Sequence, residues 1–156
     1  MNKRGFSAIE LLVVFVIIGI IAAFGIPRVR NAVIKSNVRS AKAAMGTLVV
    51  KARAAAVARG CNATMTLTSG TPGTVSGTVS ISVCADTGSG TQILGGVDSL
   101  AARFNVTMTS NASTLQFDPR GLATTFATMV VAFSSPTDAS IRDSVIVNQL
   151  GQVVRQ

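Results

Sequence analysis

Residues 6–26 read FSAIELLVVFVIIGIIAAFGI, and this stretch decides how the rest of the chain is organised. Only Glu10 is charged and only Ser7 is otherwise polar within these 21 residues. An apolar helix of about 20 residues is long enough to cross a bilayer. We therefore expect a membrane anchor that the protein retains. A cleaved secretory signal is the alternative, since small residues near the end of the stretch offer weak cleavage sites.

Glu10 needs a physical explanation, because an ionised carboxylate within an apolar span costs about 2.5 to 3.5 kcal/mol on insertion scales. If the chain were cut between Gly5 and Phe6, the new α-amino group would lie four residues from Glu10. It could then pair with the carboxylate on its own helix or on a neighbouring one. The alternative is that Glu10 extends to the lipid head groups from its place near the end of the span.

Residues 3–14, KRGFSAIELLVV, resemble the class III signal of type IV pilins and of the pseudopilins of type II secretion. The resemblance lies in a basic leader ending in Gly5, then Phe6, then Glu10 as the fifth residue after the cut, followed by an apolar run. It implies cleavage between Gly5 and Phe6 by a prepilin peptidase and N-methylation of Phe6. It also implies that Glu10 pairs with the N-terminal amine of an adjacent subunit.

The same resemblance implies a location and a set of partners. We expect a single-pass protein of the bacterial inner membrane, with a periplasmic C-terminal domain, that later enters a pilus or pseudopilus. Its partners would be other pilin or pseudopilin subunits, the prepilin peptidase, the inner-membrane assembly platform and membrane lipid. Gly19 and Pro27 fall where pilin helices tend to loosen in filaments, in agreement with the intrinsic cost of these residues inside a helix.

The chain has few residues suited to catalysis. It lacks His, Tyr and Trp, and all its lysines lie in the first 51 of its 156 residues. The remaining residues therefore lack the usual proton shuttles. Two cysteines without any His cannot form a common four-ligand zinc site. We expect a protein that is not an enzyme and that carries no cofactor or metal.

Positive charge is concentrated next to the apolar stretch. The formal net charge is +8, and residues 28–59 contain eight basic residues and no acidic one. Residues 60–156 contain four arginines and five aspartates, so this part is nearly neutral, with a net charge of 4 − 5 = −1. A nucleic acid or an anionic lipid surface should thus be sought first along the N-terminal segment. Acidic patches on neighbouring subunits are another alternative, and an ordinary solvated helix face is the simplest interpretation of the same charges.

Residues 28–60 are predicted to continue the apolar helix as an amphipathic half. Apolar residues recur at steps of three and four, the period of a helix with one buried face. Gly60 can form the left-handed C-terminal cap. The expected buried positions are Val33 or Ile34, Val38, Ala41, Met45, Leu48, Ala52, and Ala55 or Ala56. The expected outer positions are Lys35, Arg39, Lys42 and Arg53.

Beyond Gly60 the composition changes, and alternation replaces the helical period. Strands are predicted at 63–68, 79–84, 103–108, 114–117, 127–133, 144–148 and 152–155. The predicted fold class is α+β, a long N-terminal helix packed on an antiparallel sheet. The predicted organisation is a leader at 1–5, a hydrophobic helix at 6–27, its amphipathic half at 28–60 and a β-rich domain at 61–156.

Cys61 and Cys84 lie on either side of the first predicted hairpin. Outside the cytoplasm a disulfide between them is chemically permitted. By closing a loop of this size it would add about 3 kcal/mol to the free energy of unfolding. Two buried thiols are the alternative.

The second half of the chain resembles the FimT/GspH-type minor pilins. The resemblance rests on residues 52–60 (ARAAAVARG), 115–121 (LQFDPRG), 145–148 (VIVN) and 151–155 (GQVVR). Two departures are evident. Gln152 replaces the first arginine of the Gly-Arg-x-Arg tail that many relatives have, and the Trp that relatives often carry in the middle loop is absent.

The resemblance implies a minor pilin of the FimT-like class, with a type II secretion pseudopilin of the H type as the alternative. Some FimT-like pilins act in DNA uptake through arginines of the C-terminal region. Arg120, Arg142 and Arg155 are the candidates here for sequence-independent contacts with the phosphates of double-stranded DNA. The alternative is that these arginines are solvated or paired with neighbouring aspartates.

Overall fold

The computed structural model describes residues 8–85, 90–124 and 128–154. The chain divides into two units, one ending at Lys35 and the other beginning at Ser36. Helix α1 (Ala8–Arg59) supplies the described part of the first unit and the beginning of the second. Its 52 residues confirm the expected long N-terminal helix.

The part of α1 in the second unit is amphipathic, as its sequence period predicts, but Val49 is buried where Leu48 was expected, and Leu48 is half-buried. Its inner face buries seven residues, namely Val38, Ala41, Met45, Val49, Ala52, Ala55 and Ala56. Most are alanine, which combines high helix propensity with a small side chain that lets other elements pack closely.

The helix ends in a Schellman motif at Gly60. The amide of Gly60 donates to Val57 O at 3.4 Å, and that of Cys61 donates to Ala56 O at 3.3 Å. Gly60 has a φ of +62°, a conformation that glycine adopts without steric cost. The structure therefore contains the predicted C-terminal cap at Gly60, with both hydrogen bonds of a Schellman motif.

The remaining elements follow in the order β1 (Ala63–Ser69), β2 (Gly77–Cys84), β3 (Thr91–Asp98), α2 (Leu100–Phe104), β4 (Thr107–Ser110), β5 (Thr114–Phe117), β6 (Met129–Ser134), β7 (Arg142–Val147) and β8 (Val153–Val154). The eight described strands form two four-stranded sheets, with strand orders β3-β2-β1-β5 and β4-β6-β7-β8. Every strand pair is antiparallel. The expected α+β class is thus confirmed, with two sheets where one was expected.

Alternating burial along the strands produces a core shared by both sheets and α1. In β2 and β6 each buried residue is followed by a half-buried one, the period-two pattern of a sheet with one covered face. Met45 of α1, Phe117 of the first sheet and Phe133 of the second are fully buried members of one hydrophobic cluster.

Two elements differ from the sequence-based expectation. The strand predicted at 103–108 begins instead as α2, which ends at Phe104, and Asn105 follows in the left-handed conformation with a φ of 52°. Strand β3 was not among the predicted strands, and it contains Gly95 and Gly96, a residue type that is depleted in strands. Both glycines have a φ of +79°, and the pairing of β3 with β2 shifts register across an irregularity there.

Candidate functional site

The described part of the first unit is an exposed apolar helix. It is long and apolar enough to cross a membrane. Phe15 and Phe24 are 71% and 70% exposed, and the large apolar side chains between Ile9 and Ile26 are all exposed. Such continuous apolar surface is unfavourable in water and favourable in lipid or against other helices. This supports a single-pass membrane anchor.

Glu10 lies in the first turn of α1 and is the helix's only acidic residue. A carboxylate near a helix N-terminus interacts favourably with the helix dipole. Gly5 and Phe6, the predicted cleavage and methylation positions, lie outside the described residues. The helix continues through Gly19 and Pro27, and a Cβ placed on Gly19 would meet no described atom within 4 Å.

Arg120 lies in a tight turn that Asp118 organises. One carboxylate oxygen of Asp118 accepts from the amides of Leu122 at 2.8 Å and Arg120 at 3.0 Å. The other accepts from Nε of Arg120 at 3.2 Å. The hydrogen bond from Leu122, joined by those from Arg120, lowers the pKa of Asp118, although burial opposes the shift.

This turn packs against α1. Gly121 is buried with a φ of +78°, and a Cβ there would lie 3.0 Å from Val57 Cγ2 and 3.1 Å from Arg53 Nε. The glycine therefore lets the turn approach the helix closely. The side chain of Arg120 remains 83% exposed despite its pairing with Asp118.

The three predicted DNA-contact arginines differ in their surroundings. Arg120 pairs with Asp118, as the alternative interpretation anticipated. Arg142 is exposed at the start of β7 and makes no ion pair with any described residue. Its neighbour Asp143 pairs instead with Lys42 of α1 at 2.7 Å. Arg155 lies outside the described residues.

Lys42 corrects the expectation of a fully solvated basic face on α1. Its side chain is 16% exposed and joins α1 to β7 through Asp143. Lys35, Arg39 and Arg53 are exposed as expected. Sequence reasoning missed the ion pair because its partners are 101 positions apart in the chain.

A second turn, at Asn148–Gly151, resembles the first in its chemistry. Oδ1 of Asn148 accepts from the amides of Leu150 at 3.1 Å and Gln152 at 2.8 Å. Gly151, with a φ of +72°, lies against the ring of Phe117, so this turn joins the second sheet to the first. Glycine, proline, asparagine and aspartate mark both segments as turns in the sequence, but the residues that the turns contact are distant in the chain.

Cys61 and Cys84 form a disulfide. Beside it, the Arg59 guanidinium donates to Cys84 O at 3.2 Å and, in the favoured orientation of the Gln92 amide, to the oxygen of Gln92 at 2.8 Å. The end of α1 is therefore attached to β2 and contacts β3. Within residues 8–85, 90–124 and 128–154 no group of three or more His, Cys, Asp or Glu residues could hold a metal ion.

The fold defines a class of protein, the pilin-like proteins, in which a long apolar helix precedes an antiparallel β domain. Residues 43–151, 109 of the 156, match the family described as Type II transport protein GspH. The chain belongs to this family.

The structure is also similar to two crystal forms of the Pseudomonas aeruginosa (strain PAO1) type IV minor pilin FimU. The form in space group P21 has a TM-score of 0.60 and 16% identity, over 78% of this chain and 89% of that one. The form in P65 has a TM-score of 0.56 and 18% identity, over 76% and 91%. No curated protein sequence matches the chain. Pilin and pseudopilin families consist of structural subunits that assemble with one another.

Proposed function

We propose that this chain is a minor pilin of the FimT-like class, a non-catalytic subunit of a type IV pilus. A prepilin peptidase removes residues 1–5, residues 6–27 anchor the protein in the bacterial inner membrane, and the β-rich domain at 61–156 faces the periplasm. Subunits then pass into the filament through the assembly platform. The observation that carries the proposal is an exposed apolar helix with Glu10 as its only acidic residue.

Glu10 is the residue through which assembly would be controlled. Its ionised side chain is costly among lipid chains, and a cationic amine on Phe6 of an adjacent subunit would neutralise it. N-methylation keeps that amine basic. The apolar side chains around Glu10 would pack against neighbouring helices in place of lipid. Arg28 and Arg30, both exposed just after the span, would meet anionic head groups until the subunit is extracted.

Replacing Glu10 tests this proposal. We expect Glu10→Val subunits to stay in the inner-membrane fraction and to fall at least about tenfold in sheared filaments, because the pairing charge is gone. Immunoblots of sheared and membrane fractions measure this, and Ile9→Val is the matched control. Normal incorporation of Glu10→Val, or a cellular protein that mass spectrometry shows to retain Met1, would contradict the proposal.

A pseudopilin of the H type in a type II secretion system is the second candidate. The observation that favours it is the family match, whose description names a type II transport protein. Deleting the gene separates the two candidates. Loss of exoprotein release with normal piliation and transformation would favour secretion, and the opposite pattern would favour the pilus.

Contact with double-stranded DNA is a further part of the pilus proposal. Arg142 is exposed without an ion pair among the described residues, and Arg120 is largely exposed. Together with Arg155 they would contact phosphates, so binding should weaken steeply with salt.

Gel retardation of a DNA duplex by the full-length protein in neutral detergent tests the contact with DNA. We expect Arg142→Gln to reduce the slope of log affinity against log salt by about 1, since one phosphate contact is lost. Arg103→Gln is the control, an arginine already paired with Asp98 at 3.2 Å. Absence of retardation at low salt would exclude DNA as a ligand.

A further inference from the structure

A groove runs between α1 and the end of the second sheet. It consists of two adjoining cavities, of about 480 Å³ and about 120 Å³, that share Ala43, Gly46 and Val153. The larger extends to Arg53 on the helix and to Gly151 on the other wall. Its volume lies within the range of about 300 to 1,000 Å³ typical of ligand sites.

The two walls of the groove run in opposite chain directions. Towards the Arg53 end the opposite wall is Gly151 and Gln152, and towards the Arg39 end it is Val154 and Val145. Strand β8 therefore lies alongside the helix. It is the last strand of its sheet, and among the described strands only β7 pairs with it.

The walls are mainly apolar between the cationic ends. Thr47 and Gln152 are polar members of the larger cavity, and Lys42, which pairs with Asp143, lines the smaller one. Gly46 has no side chain, and its ideal Cβ would be 3.9 Å from Val153 Cγ1, so the helix and β8 approach closely at this point. Arg39 and Arg53 make no ion pair within the part of the chain that the structure describes. They are 14 residues apart, about 21 Å along a helix, a distance that six or seven residues of an extended strand would span.

We propose that this groove binds an extended segment of another protein, apolar in its middle and acidic at its ends, that lies along β8. Edge strands bind extended segments through main-chain hydrogen bonds. The apolar residues of the groove would favour a bound segment in which every second side chain is apolar. Carboxylates six positions apart on a strand point to the same side, so both could meet Arg39 and Arg53.

Charge is the reason to choose a different protein over a second copy of this chain. The described aspartates already have partners: Asp98 pairs with Arg103, Asp118 with Arg120 and Asp143 with Lys42, while Asp138 accepts hydrogen bonds from Ser140. Glu10 belongs to the apolar helix of the first unit. This inference goes beyond the proposed function, and it holds whether the chain belongs to a type IV pilus or to a type II secretion system.

Peptide binding to the full-length protein in neutral detergent tests the proposal. The probes are two fluorescent seven-residue peptides that alternate valine and threonine in the middle, one with glutamate at each end and one with lysine. Fluorescence anisotropy should show about tenfold tighter binding of the glutamate peptide, the effect expected of two exposed ion pairs. The double variant Arg39→Glu with Arg53→Glu should lose or reverse this preference.

Two further variants distinguish the groove from general charge effects. Gly46→Leu should fill the groove and abolish binding of both peptides, whereas Lys51→Glu, at an exposed position of α1 outside the groove, should leave the preference intact. Equal binding of the two peptides, no binding of the glutamate peptide near millimolar concentration, or an unchanged preference in the double variant would overturn the proposal. Self-association that Gly46→Leu abolishes would overturn the choice of occupant.

Discussion

Gly151 shows how one residue without a side chain joins two sheets. A Cβ at this position would overlap Cε1 of Phe117, and the residue has a φ of +72°. Phe117 is fully buried and belongs to the first sheet, whereas Gly151 precedes the last strand of the second. The sequence indicates a turn at Gly151, but the contact that requires glycine involves a residue 34 positions earlier.

We expect Gly151→Ala to lower the free energy of unfolding by about 2 to 4 kcal/mol. The methyl group overpacks the contact with Phe117, and alanine also bears the cost of a left-handed backbone. Urea denaturation of the protein in detergent measures this. Gly60→Ala is the matched control, because Gly60 has a φ of +62° and nothing within 4 Å of an ideal Cβ, so only about 1 kcal/mol should be lost. Equal losses in the two variants would contradict the packing argument.

The Asp118 carboxylate should make stability depend on pH. Its pKa lies below the ordinary value of 3.8, so the folded state favours the ionised form. This stabilisation is present above the ordinary pKa and is lost as the pH falls through the folded-state pKa. Asp118→Asn should therefore lower Tm at pH 7, and its Tm should approach that of the unchanged protein below about pH 4.

Arg120→Gln provides the comparison for Asp118→Asn. The amide of Leu122 contributes most to lowering the pKa of Asp118, so removing the guanidinium should reduce Tm less than removing the carboxylate. A Tm difference for Asp118→Asn that stays constant from pH 7 to pH 3 would show that ionisation does not stabilise this turn.

At the scale of elements, the C-terminal end of α1 is fastened in three ways. The Schellman motif satisfies carbonyls of the last turn, Arg59 donates to β2, and the disulfide joins Cys61 to Cys84. The sequence predicted the cap from Gly60 and permitted the disulfide. The hydrogen bond from Arg59 was not predictable from the sequence. Its acceptor is the main-chain carbonyl of Cys84, and strand register decides which carbonyl lies beside Arg59.

Removing the disulfide should cost about 3 kcal/mol of unfolding free energy, since the bridge closes a loop across 23 positions. We expect the double variant Cys61→Ser with Cys84→Ser to show this loss in urea denaturation. The reduced unchanged protein is its control and should match the double variant. A double variant as stable as the oxidised protein would show that the bridge adds nothing to the folded state.

The strand predicted at 103–108 was wrong at its start for a physical reason. The alternation of Phe104, Val106 and Met108 has the period of a strand, yet the strand begins only at Thr107, after a short helix that ends at Phe104. Burial depends on tertiary contacts, which outweigh a short periodic signal. The long helix was predictable because its period persists over many turns.

At the scale of the whole molecule, the sequence singles out individual candidate residues but not the surfaces that the tertiary structure creates. Glu10 stands out in the sequence because a charge within an apolar span is costly. The groove beside β8 was not predictable, because its walls come from residues about 100 positions apart. The division into two sheets likewise depends on pairings that local alternation does not determine.

The bridge between Cys61 and Cys84 has a mechanical consequence. Tension applied to α1 reaches β2, an inner strand of its sheet, directly through the covalent link. Residues 62–83 lie outside this covalent path and bear no tension. Stretching therefore cannot separate β1 from its sheet while the disulfide is intact. Single-molecule extension should accordingly lengthen by the contour of those 22 residues only when a reductant is present.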